Sequence, residues 1–369
     1  MDVDCEMFFR KTRKRTQYCG KTAADTLRFW MVSAINYSIE GWVTDMYILG
    51  IGGSNHDFSS CITRDGEVVI SIEDERITRK KHGTGLGVSL SQGFSRNYCL
   101  KELGLSQEDI ELVVANDIIN PVILFRLSDV KLINHHMAHA ASGFYCSPFS
   151  ESAILIVDAV GSKEQVGGQT LYESVSYAYG TDNRIDMLQK NIGANLRGTD
   201  YIENSLGIFY SIVTEIIGFG EFQEGKTMGL APYGKDSAYH ELKKFIRYTG
   251  NGKIEMTEKD IIGLTALQDE VSAIRGDELR FSRQADLAWA AQQILEDIIL
   301  QLGEYIQGLT KAKYLCIAGG VALNSVANYK LYKSGLFEDV FIQPAAGDNG
   351  TAIGAALYGH YVLKGNKRF

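Results

Sequence analysis

The strongest constraint on the fold is a strand pattern that occurs twice along the chain. In the first copy, the apolar run YILGI (residues 47–51) ends in glycines, and two more strand-like runs flank an Asp-Gly pair at 65–66. An Asp-Gly pair in that position is a strong hairpin signal. In the second copy, AILIVDAVG (153–161) ends in Asp158 and a glycine, and SVSYAYG and RIDMLQKN follow as antiparallel strands. The repeat predicts an α/β protein with two similar lobes, each built on a mixed sheet, that face a cleft.

Helical patterns fill the segments between these strands. SLSQGFSRNYCLKELGL predicts a helix that stops at Gly104, and FSRQADLAWAAQQILEDIILQLGEYIQGL has the apolar spacing of three and four that is typical of a long helix. We predict lobe I over residues 47–148 and lobe II over 149–369. Residues 1–46 read as a leader: a wrongly chosen start codon, an expression remnant or a native extension. We assign this leader no function.

Composition narrows the class of protein. Of the 369 residues, 45% are hydrophobic and 22% are charged, which is ordinary for a soluble globular protein. The net charge of −8 argues against a nucleic-acid partner. The six cysteines form no CxxC pair, which favours reduced thiols and a cytoplasmic location. No apolar run is long enough to predict a membrane span.

Three histidines lie within five positions of NHHMAHAASGFYCSPF (residues 134–149). His135 and His139 are four residues apart, so on a helix they would share one face and could bind one metal ion. His136 could approach the same site, and Asp348 in PAAGDNG is the candidate carboxylate ligand. Such a nitrogen and oxygen donor set suits a divalent transition metal. The alternative is a helix whose histidines pack or cap its start; the small residues of HAAS and GTAIGAALYG predict close helix packing in either case.

Two glycine-rich loops are further candidate sites. In AGGVALN, Gly319 and Gly320 could let a nucleotide approach the backbone, and Asn324 would lie on the helix that follows. The alternative is a packing turn of an α/β fold. In GIGGSNHDFSS, the pair His56 and Asp57 could orient or activate a nucleophile. A local turn with a surface histidine is the alternative there.

Six motifs occur together in one order, namely GGSNHDFSS, EDERITRKKH, NHHMAHAASGFYCSPF, GKTMGLAPYG, LCIAGGVALNSVAN and QPAAGDNGTAIGAAL. In this order the chain resembles the O-carbamoyltransferases of the nodulation-factor and antibiotic-biosynthesis type from residue 47 to about residue 360. The resemblance implies the two-lobed fold of actin and the sugar kinases. It also implies that ATP and carbamoyl phosphate yield a carbamoyl-adenylate, whose carbamoyl group passes to a hydroxyl of a sugar or natural product.

The resemblance also implies roles for individual residues. It implies iron or another divalent metal on His135, His139 and Asp348, a transfer site at His56 and Lys81, and nucleotide binding at Gly319, Gly320 and Asn324. Members of this family usually continue into a YrdC-like domain that makes the adenylate, whereas this chain ends at Phe369. The sequence also departs from the family pattern at Ala159 and Ser162, where glycine and glutamate are usual.

The leading prediction is therefore an ATP-dependent O-carbamoyltransferase. We expect the chain alone to make no carbamoyl-adenylate but to transfer the group from preformed adenylate. One alternative is a truncated, non-catalytic nucleotide-binding half that needs a separately encoded C-terminal partner. Another is a kinase or ATPase of the same fold, which is disfavoured because such enzymes rarely need an HxxxH metal site.

Overall fold

The structure is a computed structural model that describes residues 45–368. Of these, residues 46–368 belong to one compact unit. The predicted leader therefore lies outside the described residues, apart from its last two positions. The predicted boundary between the lobes, at residues 148 and 149, stays a prediction.

The first sheet contains five strands: β1 (Tyr47–Gly52), β2 (Ser59–Arg64), β3 (Glu67–Glu73), β4 (Ile110–Asn116) and β5 (Lys131–Ile133). Their order across the sheet is β3-β2-β1-β4-β5. Strands β1 and β2 pair antiparallel, as do β2 and β3, and a two-residue turn at Asp65-Gly66 joins the second pair. Strand β4 runs parallel to β1, and β5 runs parallel to β4.

The rest of the chain contributes a second mixed sheet and a separate ribbon. Its strands are β6 (Glu151–Val157), β7 (Lys163–Val166), β8 (Gln169–Thr181), β9 (Arg184–Ala194), β10 (Arg247–Gly250), β11 (Lys253–Glu255), β12 (Tyr314–Ala318) and β13 (Asp339–Ile342). Strand β8 pairs antiparallel with β6 and β9, while β12 runs parallel to both β6 and β13. The order β9-β8-β6-β12-β13 thus repeats that of the first sheet, which confirms the predicted two-sheet α/β architecture. Strand β7 adds to β8 and was not predicted, and β10 and β11 form the ribbon.

The helices connect these strands and cover the sheets. They are α1 (Asp74–Thr78), α2 (Phe94–Leu103), α3 (His135–Cys146), α4 (Leu206–Ile216), α5 (Glu224–Leu230), α6 (Tyr239–Lys243), α7 (Glu258–Thr265), α8 (Leu267–Ala273), α9 (Asp277–Thr310), α10 (Ser325–Lys333) and α11 (Thr351–Tyr358). Helix α2 ends at Gly104 in a left-handed C-cap, as predicted. Within residues 45–368, every helix is too short or too polar to span a lipid bilayer.

The loops that carry the candidate residues leave the sheets on one side. Strands β1, β4 and β5 run parallel, and so do β6, β12 and β13. The carboxyl ends of parallel strands share one edge of a sheet, and ligand sites of α/β proteins form at that edge. Each sheet therefore presents several loops with candidate side chains along a single edge.

Helix α11 packs against α3 and the first sheet through small residues. Ala352, Ala355 and Ala356 are fully buried beside Ile48 of β1. A Cβ atom built on Gly354 would lie 1.8 Å from the backbone oxygen of Ala138 in α3. This contact leaves no room for a side chain, so the glycine sets the separation of the two helices.

We expect Gly354→Ala to lower the free energy of unfolding by about 1–3 kcal/mol, because the backbone must shift to admit the methyl group. Urea denaturation would measure the loss. Gly308→Ala is the matched control, since Gly308 is an exposed helical residue with no atom within 4 Å of the added methyl. That control should be neutral or stabilising by up to about 1 kcal/mol. Equal stability of the two variants would contradict the packing argument.

Candidate active site

Helix α3 presents two of the clustered histidines on one face at its first turn. The helix begins at His135, and Asn134 caps it by accepting the Met137 N–H at 2.9 Å. His135 and His139 are fully buried, and their Nε2 atoms are 3.1 Å apart. The four-residue spacing thus places both imidazoles on one face of the helix, as the sequence predicts, and both rings point to the same buried centre.

Two carboxylates from the second sheet meet these imidazoles. Asp158 directly follows β6, and its Oδ2 lies 3.2 Å from His135 Nε2 and 3.3 Å from His139 Nε2. Asp348 follows β13, and its Oδ1 lies 3.4 Å and 3.6 Å from the same nitrogens. One donor atom from each of the four residues lies within 4.8 Å of the others. Sequence reasoning missed Asp158 as a ligand, although its signal, an acidic residue at the end of a buried strand, was visible.

The four residues fit a divalent metal ion. Ligand atoms about 2.1 Å from a metal lie roughly 3.0–3.4 Å from one another, which is close to the spacing of these donors. Two imidazoles and two carboxylates are a donor set that iron and zinc accept. The other ring nitrogens, Nδ1 of His135 and of His139, are buried without a hydrogen-bond partner in the part of the chain described here. In the described part of the chain, both rings therefore make their polar contacts through Nε2, at the shared centre.

The charges of the cluster agree with a cation at its centre. Burial alone would lower the pKa of His135, but Asp348 and Asp158 outweigh burial and raise it to about 10. Burial disfavours the charged carboxylates, but hydrogen bonds from His135 and His139 hold the pKa of Asp158 below its usual range. The pKa of Asp348 is also lowered, against burial, by the charge of His135 and by hydrogen bonds from both imidazoles. A bound dication would replace the imidazolium proton as the positive charge between the two carboxylates.

His136 does not join the cluster, contrary to the expectation that it could approach the same site. Its side chain points to the second sheet, where Nδ1 lies 2.7 Å from Ser176 Oγ. Burial lowers the pKa of His136 well below its usual range. One step along a helix turns a side chain by about 100°, so neighbours of a helical ligand face elsewhere.

A hydrogen-bond network outside the cluster holds the start of α3. The His135 N–H lies 2.8 Å from Ser162 Oγ and 3.1 Å from Asp117 Oδ1, and the Ser162 hydroxyl donates to that carboxylate at 2.6 Å. Ser162 is one of the two positions at which the resemblance implies a different residue. Its hydroxyl oxygen accepts from the first residue of α3, so Ser162 helps to hold the helix that carries the histidines.

His56 lies beside the cluster, on the loop between β1 and β2. Its Nδ1 is 3.0 Å from Asp57 Oδ2, and its Nε2 is 3.9 Å from Asp348 Oδ2. Burial would lower the pKa of His56, but the hydrogen bond to Asp57 and the charge of Asp348 raise it. The structure thus brings the predicted transfer residue next to a predicted metal ligand.

Lys81 is exposed, and among residues 45–368 its side chain has neither an ion pair nor a hydrogen-bond partner. The next residue, His82, is the one that reaches the site, because its Nδ1 lies 2.7 Å from Asp57 Oδ1. Sequence reasoning missed His82, although the motif EDERITRKKH contains it. A transfer role for Lys81 stays a prediction.

The predicted nucleotide residues follow β12, next to Asp158. Gly319 has a φ of +96°, which favours glycine, and the Gly320 N–H lies 3.1 Å from Asp158 Oδ1. Asn324 caps α10 by accepting the Ala327 N–H, and its amide exchanges two hydrogen bonds with Gln292. Their role in nucleotide binding stays a prediction.

The Gly320–Asp158 contact also joins the glycine loop to the cluster of four donors. A Cβ on Gly320 would lie 3.0 Å from the Asp158 carboxylate oxygen, so a substitution there would disturb the cluster of four donors as well as the glycine loop.

A family model for the carbamoyltransferase N-terminus matches residues 122–357, which is more than half of the chain. The chain belongs to the carbamoyltransferase family. The resemblance predicted from the six motifs is thereby confirmed. The match includes the helix with the clustered histidines and the loops with both carboxylates.

Curated relatives of this carbamoyltransferase-family chain include two nodulation proteins. The nodulation protein NolNO of Sinorhizobium fredii is 31% identical over 82% of this chain and 46% of its own length. The nodulation protein NolO of Bradyrhizobium diazoefficiens is 36% identical over 61% of this chain and 38% of its own length. The chain thus spans about half the length of these relatives, or less.

Among solved structures, full-length HypF in its phosphate- and nucleotide-bound form matches 87% of this chain and 56% of its own length. The TM-score is 0.53 at 15% identity. This likeness supports the two-lobed fold.

Proposed function

We propose that this chain transfers a carbamoyl group from carbamoyl-adenylate to a hydroxyl of a sugar or another natural product, as an ATP-dependent O-carbamoyltransferase. The observation that carries the proposal is the meeting of His135, His139, Asp158 and Asp348 at one buried point beside His56. Family membership supplies the reaction class, and these residues supply the chemistry that the class requires.

Each group has a separate task in this proposal. An iron or other divalent ion on the four ligands would offset negative charge on the phosphate and polarise the carbamoyl carbonyl. His56 takes the proton of the acceptor hydroxyl at Nε2, because Asp57 already occupies its Nδ1. The loop at Gly319 and Gly320 is the proposed contact for the nucleotide.

The proposed step is an acyl transfer. The acceptor oxygen forms a bond to the carbamoyl carbon, and the bond from that carbon to the phosphate oxygen breaks. The hydroxyl proton goes to His56, and AMP leaves with the electron pair. The products are one O-carbamoylated acceptor and one AMP, and a YrdC-like domain supplies the adenylate from ATP and carbamoyl phosphate.

The direct test is to supply preformed carbamoyl-adenylate to the purified, metal-loaded chain with a panel of methyl glycosides. We expect equal amounts of AMP and carbamoylated glycoside, both dependent on the chain and both lost after chelation. AMP without carbamoylated product, at the rate measured without protein, would contradict the transfer function. Conversion of ATP and glycoside to ADP and a sugar phosphate would favour the kinase instead.

A further inference from the structure

Three residues with an unusual backbone conformation meet around the His56 ring. Asp57, His82 and Phe222 have φ angles of 53°, 57° and 55°. Left-handed backbone is unfavourable for residues other than glycine, and most of all for bulky ones. Such strain persists only where the surroundings enforce it, and it concentrates at functional sites. The three residues come from three different loops, so one local turn does not explain the coincidence.

The Asp57 carboxylate holds two imidazoles at once. Its Oδ2 lies 3.0 Å from His56 Nδ1, and its Oδ1 lies 2.7 Å from His82 Nδ1. Hydrogen bonding to both imidazoles outweighs burial and lowers the pKa of Asp57. An ionised carboxylate only accepts hydrogen bonds, so each Nδ1 carries a proton. The Nε2 atom of His56 is then the ring position that faces Asp348.

Contacts from neighbouring residues also hold the His56 and His82 side chains. The His82 N–H donates to Glu75 Oε2 at 2.7 Å, which anchors the loop that carries His82. The Phe222 ring lies 4.4 Å from the His56 ring and 4.7 Å from the His82 ring, measured between centroids. Phe222 therefore forms one apolar wall against both imidazoles and restricts their rotation.

We propose that Asp57, His82 and Phe222 form a positioning cradle for His56. The cradle holds the His56 ring with Nδ1 bound and Nε2 directed at the reacting hydroxyl. His82 acts through Asp57, since its own hydrogen bond fixes the carboxylate that orients His56. This inference rests on the proposed transfer function and adds positioning residues to it.

The test compares two substitutions at position 82 that both tolerate its backbone. His82→Asn keeps a side-chain N–H donor for Asp57, and asparagine accepts left-handed backbone better than most residues. His82→Gly relieves the strain but removes the donor. Asp129→Gly is the matched control, because Asp129 is exposed and has a φ of 54°. Transfer from preformed carbamoyl-adenylate to a methyl glycoside gives kcat and KM, and elemental analysis gives the metal content.

We expect His82→Gly to lower kcat by about 10- to 100-fold through loss of orientation, with KM for the adenylate and the metal content unchanged. His82→Asn should recover most of that loss, and Asp129→Gly should match the parent chain. Equal kcat in the Asn and Gly variants would overturn the role of the donor. If His82→Gly does not fold, Asp57→Asn replaces it in the comparison. An ionised carboxylate accepts a hydrogen bond from each imidazole with a separate oxygen, whereas the asparagine amide has only one oxygen.

A crystal structure of the metal-loaded His82→Gly variant tests the cradle independently of activity. We expect the Asp57 carboxylate and the His56 ring to leave their observed positions. An unmoved His56 ring with an intact Asp57 contact would overturn the cradle. If the parent chain transfers no carbamoyl group but this ring moves as expected, the proposed function fails and the positioning inference stands.

Discussion

A chain carrying His139→Ala is expected to purify with almost no bound divalent metal, whereas the parent chain should hold about one ion per molecule. The substitution removes one of four ligands and leaves two buried carboxylates, Asp158 and Asp348, with an incomplete partner set. Loss of a ligand should weaken binding by about 10²-fold or more, since loss of a residue that merely supports a ligand already costs 10- to 100-fold. Elemental analysis after dialysis measures the difference.

Two further variants make the metal prediction specific. Asp158→Asn can keep Oδ1, which accepts the N–H groups of Ala159 and Gly320, while its amide nitrogen replaces the oxygen that faces the histidines. It should lose metal without losing the fold. His136→Asn changes a histidine of the same helix outside the cluster and should retain metal. Parent-like metal in both His139→Ala and Asp158→Asn would refute the assigned site.

The second large effect is expected from His56→Gln, which should slow carbamoyl transfer by about 10²- to 10⁴-fold, the range that a positioned general base contributes. Glutamine approximates the size of imidazole but cannot take a proton from the acceptor hydroxyl. His56 Nε2 lies 3.9 Å from Asp348, outside the group of four ligands, so the metal content should not change. Steady-state AMP release from preformed carbamoyl-adenylate and a methyl glycoside measures the rate.

His240→Gln is the matched control for this substitution, because His240 is an exposed residue of helix α6. It should transfer at the parent rate. A His56→Gln chain with parent kcat would remove His56 from the reaction. A slowed chain that had also lost metal would instead make His56 a metal ligand. The pair of measurements thus separates proton transfer from metal binding.

The sequence predicted the repeated architecture because its signals are local. An apolar run of strand length, a glycine at its end and an Asp-Gly hairpin are each read within a few residues. The same holds for the paired histidines, since a helical turn brings positions four apart together whatever surrounds the helix. Helix α3 begins at His135 and carries both imidazoles inward, as that periodicity requires. Asp348 was found because its glycine-flanked loop follows an apparent strand.

Contacts between distant segments were decided by the tertiary structure alone. Asp158 becomes a candidate ligand because β6 and β13 lie on either side of β12 in one parallel arrangement, so the loops after them meet above α3. Asp158 approaches His139 to 3.3 Å, and Asp57 is shared by His56 and His82. No regular spacing in the sequence predicts either contact. Local sequence patterns indicate which face of a helix or strand a side chain occupies. Only the packing of sheets and helices determines which other faces it meets, and that packing is fixed by burial of the whole core.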